Sequence, residues 1–138
     1  MSLVLGLDMG GTATRALLAD TTGARLGSGR GGPGNPFAHP PERVAATMTD
    51  TIRQALREVE PGDVRSGLVG MAGGARLAEP AVATMFEHAW RSTGLRCPMR
   101  VVGDTDVAYA AGTAEPDGAV LIAGTGAVAA TVVGHRAV

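Results

Sequence analysis

Apolar residues come in short runs separated by glycine-rich breaks. Leu3-Val4-Leu5-Gly6-Leu7 ends at Asp8 and Gly10-Gly11, and Ala16-Leu17-Leu18-Ala19 follows before Asp20 and Thr21-Thr22-Gly23. Runs of this length bounded by turn residues predict two strands joined as a hairpin by a glycine turn. Arg25-Leu26-Gly27-Ser28 predicts a third antiparallel strand, and residues 30–39, with Gly31-Gly32-Pro33-Gly34-Asn35-Pro36, predict a loop. From Pro40-Pro41-Glu42 the period changes. Val44, Met48, Ile52, Ala55, Leu56 and Val59 recur at helical spacing, with Arg43, Asp50, Arg53, Arg57 and Glu58 on other faces. This predicts a helix with proline in its first turn that stops before Pro61-Gly62.

The second half alternates. Gly67-Leu68-Val69-Gly70-Met71-Ala72 predicts a buried strand ending in Gly73-Gly74, Pro80 to Trp90 a second helix, and Arg100-Val101-Val102 a further strand broken by Gly103-Asp104. Asp104 or Thr105 is placed to cap a helix running through Val107, Ala108 and Ala111. After the turn Glu115-Pro116-Asp117-Gly118, the run Ala119 to Ala123 passes through Gly124-Thr125-Gly126 into Ala127 to Val133, a second hairpin with a glycine turn. Three antiparallel strands followed by helix, strand, helix, strand and helix predict an α/β fold, a mixed sheet covered by helices with ligands gathering at strand ends.

Composition removes several alternatives. Glycine supplies 21 of 138 residues, about twice the usual ~7 %, without the repeat of a fibrous chain, and aromatics are 3 %, so the core rests on Val, Leu, Ile, Ala and Met. Net charge is -1 and the 12 basic residues are scattered, so neither nucleic acid nor an anionic membrane surface is an expected partner. All 12 are arginine, which excludes a Walker-type phosphate loop and a Schiff-base lysine. The single Cys97 excludes an internal disulfide and any Cys-rich metal centre built from one chain, and fits a reducing, cytoplasmic setting. No apolar run approaches the ~20 residues that span a membrane, so a soluble protein is expected.

Three segments could carry chemistry. Asp8-Met9-Gly10-Gly11-Thr12 sets a carboxylate at a strand end before two glycines, whose backbone N–H groups can approach a phosphate, and a hydroxyl. Alone, it is equally a hairpin turn with a capping Asp. Gly124-Thr125-Gly126 alone is an ordinary strand-joining turn, and Asp104 alone is a helix cap, while Asp106 reads as a solvated helix residue. Together, two glycine turns and an acidic strand end in an α/β frame make a coherent phosphoryl-transfer site. His39, His88 and His135 show no ligand spacing, and Met71, Met85, Met99 and Trp90 read as core.

In order, Asp8-Met9-Gly10-Gly11-Thr12, Val102-Gly103-Asp104-Thr105-Asp106 and Ile122-Ala123-Gly124-Thr125-Gly126 resemble the first phosphate loop, the catalytic-Asp segment and the second phosphate loop of the actin-like ATPase and sugar kinase superfamily. Gly32-Pro33-Gly34-Asn35-Pro36 before a long helix, and Leu121 to Ala127, resemble its N-acetylglucosamine kinase branch, grouped with the BadF/BadG/BcrA/BcrD ATPases. The resemblance implies a ribonuclease-H-like lobe over residues 1–115 and the first hairpin of a second lobe over 116–138. It implies ATP and Mg2+ between the lobes: Asp8 holding magnesium through water, Gly10, Gly11 and Thr12 cradling the γ-phosphate, and Gly124, Thr125 and Gly126 the β-phosphate. Asp104 would be the general base on an amino-sugar hydroxyl, with Asn35, Gly73 and Gly74 around the sugar.

Family enzymes have two lobes, so the hairpin at 119–133 is expected to be covered by the remainder of a longer chain or by a second copy in a homo-oligomer. Other expectations are a non-catalytic sugar-binding lobe of the same fold, or an ATPase activator of an acyl-CoA dehydratase. That activator carries a cluster-binding cysteine just before the second glycine loop, where this chain has Leu121 and its neighbours.

Overall fold

The computed structural model describes residues 2–123 and 127–138. Strands β1 (Leu3–Met9), β2 (Thr14–Asp20) and β3 (Arg25–Gly31) form an antiparallel meander. Helix α1 (Pro41–Ala55) leads to β4 (Val64–Met71), and α2 (Pro80–Ser92) leads to β5 (Met99–Gly103). Strand β4 returns to pair parallel with β1, and β5 pairs parallel with β4, giving one five-stranded sheet in the order β3-β2-β1-β4-β5. Helix α3 (Asp104–Gly112) then leads to a separate antiparallel sheet of β6 (Gly118–Ala123), β7 (Ala127–Val133) and β8 (Arg136–Ala137). This is the α/β arrangement the alternation predicts, with a second, three-stranded sheet after α3.

Alternation along the strands decides which face is buried. Leu5, Leu7 and Met9 of β1, Ala16 and Leu18 of β2, and Val69 and Met71 of β4 point to one face, where Val44, Met48 and Ile52 of α1 and Val82, Phe86 and Trp90 of α2 close the core. Each such side chain contributes about 1.5–3 kcal/mol on burial. Trp90, the largest, donates its indole N–H to the Cys97 carbonyl at 2.8 Å, so its one polar atom is satisfied inside the core. On β3 the residues facing α1 are Gly27, Gly29 and Gly31, and side chains there would collide with Ala55 and Thr51. Helix α1 therefore rests on strand backbone. Val107 of α3 packs over Gly70 on the opposite face of the sheet.

Some boundaries differ from those the pattern predicts. Strand β3 runs through Gly31, because Gln54 of α1 bonds both the N–H and the carbonyl of Arg30 and continues the edge pairing into the expected loop. Helix α1 ends at Ala55 rather than near Val59. Leu56 leaves the helix at φ -94° and ψ 9°, and Arg57 and Val59 bond to carbonyls three residues back, a tightened turn that still buries Leu56. Strand β4 begins at Val64 rather than Gly67, because its parallel pairing reaches the start of β1.

Among the described residues no helix is long and apolar enough to cross a membrane. The second sheet leaves Leu121 (73 %), Val128 (50 %) and Val133 (54 %) exposed, and a small sheet with apolar side chains in water tends to associate. The purified 138-residue chain is therefore expected to elute above its monomer mass of 13.9 kDa in size-exclusion chromatography with light scattering, and a stable monomer there would show that this surface needs no cover.

Candidate active site

Three neighbouring parallel strands stop at one level: Met9 of β1 lies opposite Met71 of β4, and Met71 opposite Gly103 of β5. Everything that follows these residues is delivered to one edge of the sheet. After Met9 comes the hairpin turn, in which the Gly10 N–H bonds the Ala13 carbonyl at 2.9 Å and leaves Gly11 and Thr12 exposed at the tip. Of the cradle expected from the sequence, Gly10 has therefore given its N–H to the turn. Gly11 is open around its α-carbon among the described residues, so nothing in the chain's own packing requires glycine there.

The loop after β3 is tied down onto this hairpin. Gly34 donates its N–H to the Gly10 carbonyl at 2.8 Å, and the fully buried Thr14 hydroxyl donates to the Gly32 carbonyl at 2.8 Å. A β-carbon on Gly34 would stand 2.7 Å from Met9 Cβ and 2.8 Å from Thr14 Oγ1. That close approach sets Asn35 beside the strand ends. The Asn35 Oδ1 accepts from the Phe37 N–H at 2.9 Å, and its backbone carbonyl accepts from Ala38 and His39, so both oxygens are engaged in the turn.

From β4, Ala72 donates to the Met9 carbonyl at 2.9 Å, and Gly73 then turns with φ 71°, directly against Asn35 Oδ1. Asn35 and Gly73 are thus in contact, whereas Gly74 lies against Met71 and Val101 at ordinary contact distance. Arg76, which carries no local sequence signal, bridges the two loops. Its Nη1 donates to the Pro36 carbonyl at 3.1 Å, its guanidinium lies 5.8 Å over the Phe37 ring, and its Nε sits 2.7 Å from Glu79 as an ion pair off hydrogen-bond alignment.

From β5 comes Asp104. The residue that caps α3 is Gly103, with no side-chain cap, so neither Asp104 nor Thr105 is the N-cap expected above. Asp104 is the first helical residue, and the carboxylate finds the positive end of the helix without capping it. Two strand spacings separate β1 from β5, roughly 10 Å, and the two acids still feel each other. The Asp8 carboxyl is held above its usual range by partial desolvation and by the charge of Asp104, against the opposing pull of Arg15, which lies directly across from it on β2.

Asp106 is not the solvated residue expected. Its side chain is 10 % exposed, and it binds Arg136 and the backbone of β8. Gly124, Thr125 and Gly126 lie outside the described residues. No group of three or more metal-ligating side chains occurs among the described residues.

The model of the BadF/BadG/BcrA/BcrD ATPase family matches residues 5–138. This chain belongs to that family. The match takes in Asp8, Asn35, Gly73 and Asp104 of this BadF/BadG-family chain. The solved structure of a candidate N-acetylglucosamine kinase from Porphyromonas gingivalis is 25 % identical with a TM-score of 0.75, covering 99 % of this chain and 46 % of that one. A second candidate N-acetylglucosamine kinase, from Chromobacterium violaceum, gives 19 % and 0.64 over 95 % of this chain and 45 % of its own. A ROK family glucokinase from Streptomyces griseus, solved with glucose and AMPPNP, gives 22 % and 0.67 over 99 % and 46 %. The chain thus spans about half the length of these proteins. No curated protein matches it.

Two expectations follow from the site of this family member. Gly34→Ala forces a methyl group into Met9 and Thr14 and is expected to cost about 1–3 kcal/mol, as overpacking does, read as a lowered urea midpoint with unchanged slope. For Asp8, the folded-state carboxyl binds its proton more tightly than the unfolded one. Its contribution to stability is therefore full below the ordinary carboxylate range and is lost as pH rises through the raised value. Asp8→Asn is accordingly expected to melt about 1–3 °C above the natural chain at pH 7 and level with it under acid conditions, where both side chains are neutral. A lower melting point at pH 7 would mean that Arg15 outweighs desolvation and Asp104 together.

Proposed function

We propose that this chain is the N-terminal part of an ATP-dependent kinase that phosphorylates a hydroxyl of an amino sugar, N-acetylglucosamine or glucosamine. The observation that supports it is the meeting of Asp8 and Asp104 at one sheet edge, close enough that the charge of one raises the pKa of the other, with the Gly11-Thr12 tip on one side and the Asn35-Gly73 contact on the other. Residues 1–115 are read as the sugar-side lobe and 116–138 as the start of the second.

The donor set fits magnesium. Mg2+ keeps several waters and takes one or two protein carboxylates together with phosphate oxygens, and Asp8, partly desolvated and with the charge of Asp104 near it, is a carboxylate that a cation would relieve beyond what Arg15 does. Asp8 would hold the ion through water, and the ion would neutralise phosphate charge. Gly11 and Thr12 offer N–H groups and a hydroxyl to the transferring phosphate at the exposed tip, Gly10 shapes that tip, and Gly124, Thr125 and Gly126 are assigned the β-phosphate. Asn35 and the backbone of Gly73 and Gly74 take the sugar hydroxyls. Asp104, at the positive end of α3, accepts the proton of the attacking hydroxyl. The apolar side chains on β6 and β7 suit a surface covered by further polypeptide.

The test is an ATP-coupled assay on the protein at its natural length across N-acetylglucosamine, glucosamine and glucose, with Asp104→Asn beside it. Removing a general base lowers turnover by about 10²–10⁴-fold, while sugar binding by calorimetry is expected to stay within a factor of about three. Full turnover in Asp104→Asn would overturn the base assignment, and binding without turnover in the natural protein would favour a non-catalytic sugar-binding lobe.

A further inference from the structure

Helix α3 carries two carboxylates two residues apart, and at 3.6 residues per turn two positions differ by about 200°, so they point to opposite sides. On one side are Asp104, at the sheet edge, and Val107, which packs over Gly70 of β4. On the other are Asp106 and Tyr109, three residues apart and so neighbours on the helix surface. Tyr109 is buried against Gly118 at the start of β6. Asp106 Oδ1 accepts from the Ala137 N–H of β8 at 2.6 Å, and its Oδ2 lies 3.3 Å from Arg136 Nε. A carboxylate 10 % exposed costs stability unless its oxygens are satisfied, and here both are met by one two-residue strand.

That strand is held at its other end too. Gly134 donates to Asp117 Oδ1 at 2.9 Å and His135 to the Pro116 carbonyl at 2.8 Å, which folds the β7–β8 turn back on the segment leaving α3. Val132 and Val133 of β7 pair with Ala137 and Arg136, so whatever fixes β8 fixes β7.

We propose that Asp106 is a positioning residue: it locks the second sheet to α3 and thereby sets the place of β6 and β7, which flank residues 124–126, relative to Asp104 on the same helix. Only its consequence for turnover rests on the kinase reading. The lock itself is a property of the described residues.

Amide hydrogen exchange on the 138-residue chain, followed by NMR, tests the lock directly. In Asp106→Ala the Ala137 amide is expected to exchange at least about tenfold faster, as loss of a hydrogen bond to a charged acceptor implies. The amides of Leu7, Val69 and Met71 in the first sheet should be unchanged. Asp106→Asn keeps an acceptor oxygen and should restore most of the protection, and Arg136→Gln should lose less than Asp106→Ala. Unchanged Ala137 exchange in Asp106→Ala overturns the proposal, as does equal acceleration in both sheets. If Asp106→Ala does not fold, the double variant Asp106→Asn with Arg136→Gln decides: with both charges gone the Ala137 amide is expected to exchange faster than in either single variant, and protection equal to the natural chain would overturn the lock. In the assay at natural length, Asp106→Ala is expected to lower kcat about tenfold at unchanged sugar KM, with rescue by Asn. Should the natural protein phosphorylate no sugar, the kinase reading falls and the exchange result still decides the lock.

Discussion

Strands β1, β4 and β5 end level with one another, and that single register constrains everything chemical in the chain. It arises because β1 is, among the described residues, the one strand paired on both sides by different rules, antiparallel to β2 and parallel to β4. The antiparallel side fixes where the Gly10–Ala13 turn falls. The parallel side fixes where β4 stops and, through β4, where β5 stops. Because the side-chain period of a strand is two, a slip of one residue would bury Asp8 in the core and expose Leu7 and Met9 to water. The apolar contacts of α1 and α2 with that face therefore hold the carboxylate at its edge as firmly as any contact of its own.

The loops at this edge are ordered by backbone contacts and by two short side chains, Thr14 and Asn35. Gly34 is admitted beside Met9 only because it lacks a β-carbon, and Gly73 takes a left-handed conformation next to Asn35. Arg76 is the exception, a long side chain that spans from the turn after β4 to the carbonyl of Pro36. On the far side of the sheet α3 links the two sheets, with one acid at the strand end and another in the interface. A short helix of 9 residues thus joins the chemistry of one sheet to the position of the next.

Much of this was legible in the chain itself, for physical reasons particular to each element. The three strand ends could be read because each couples an apolar run to a glycine or an acid, and α1 because Val44, Met48 and Ile52 repeat at helical spacing. The segments carrying Asp8, Asn35 and Asp104 lie at one edge of the sheet. What the pattern did not reveal depends on contacts distant in sequence. The extension of β3 needs Gln54, which lies 24 residues from Arg30. Asp106 looks like any exposed helix acid until β8, 31 residues further on, arrives to meet it. Arg76 gives no local signal either, since its partner Pro36 is 40 residues away.

The two singular aromatic residues fall on opposite sides of this architecture. The only tryptophan, Trp90, is sealed into the first core beside Cys97, and the only tyrosine, Tyr109, is pressed between α3 and the first strand of the second sheet. Intrinsic fluorescence is therefore already partitioned by the fold. The indole sits in the core of the five-stranded sheet and the phenol at the seam between the two sheets, so energy passed from phenol to indole depends on how the seam is held. The chain carries its own pair of optical labels, and the coupling of its two halves can be watched without adding a dye.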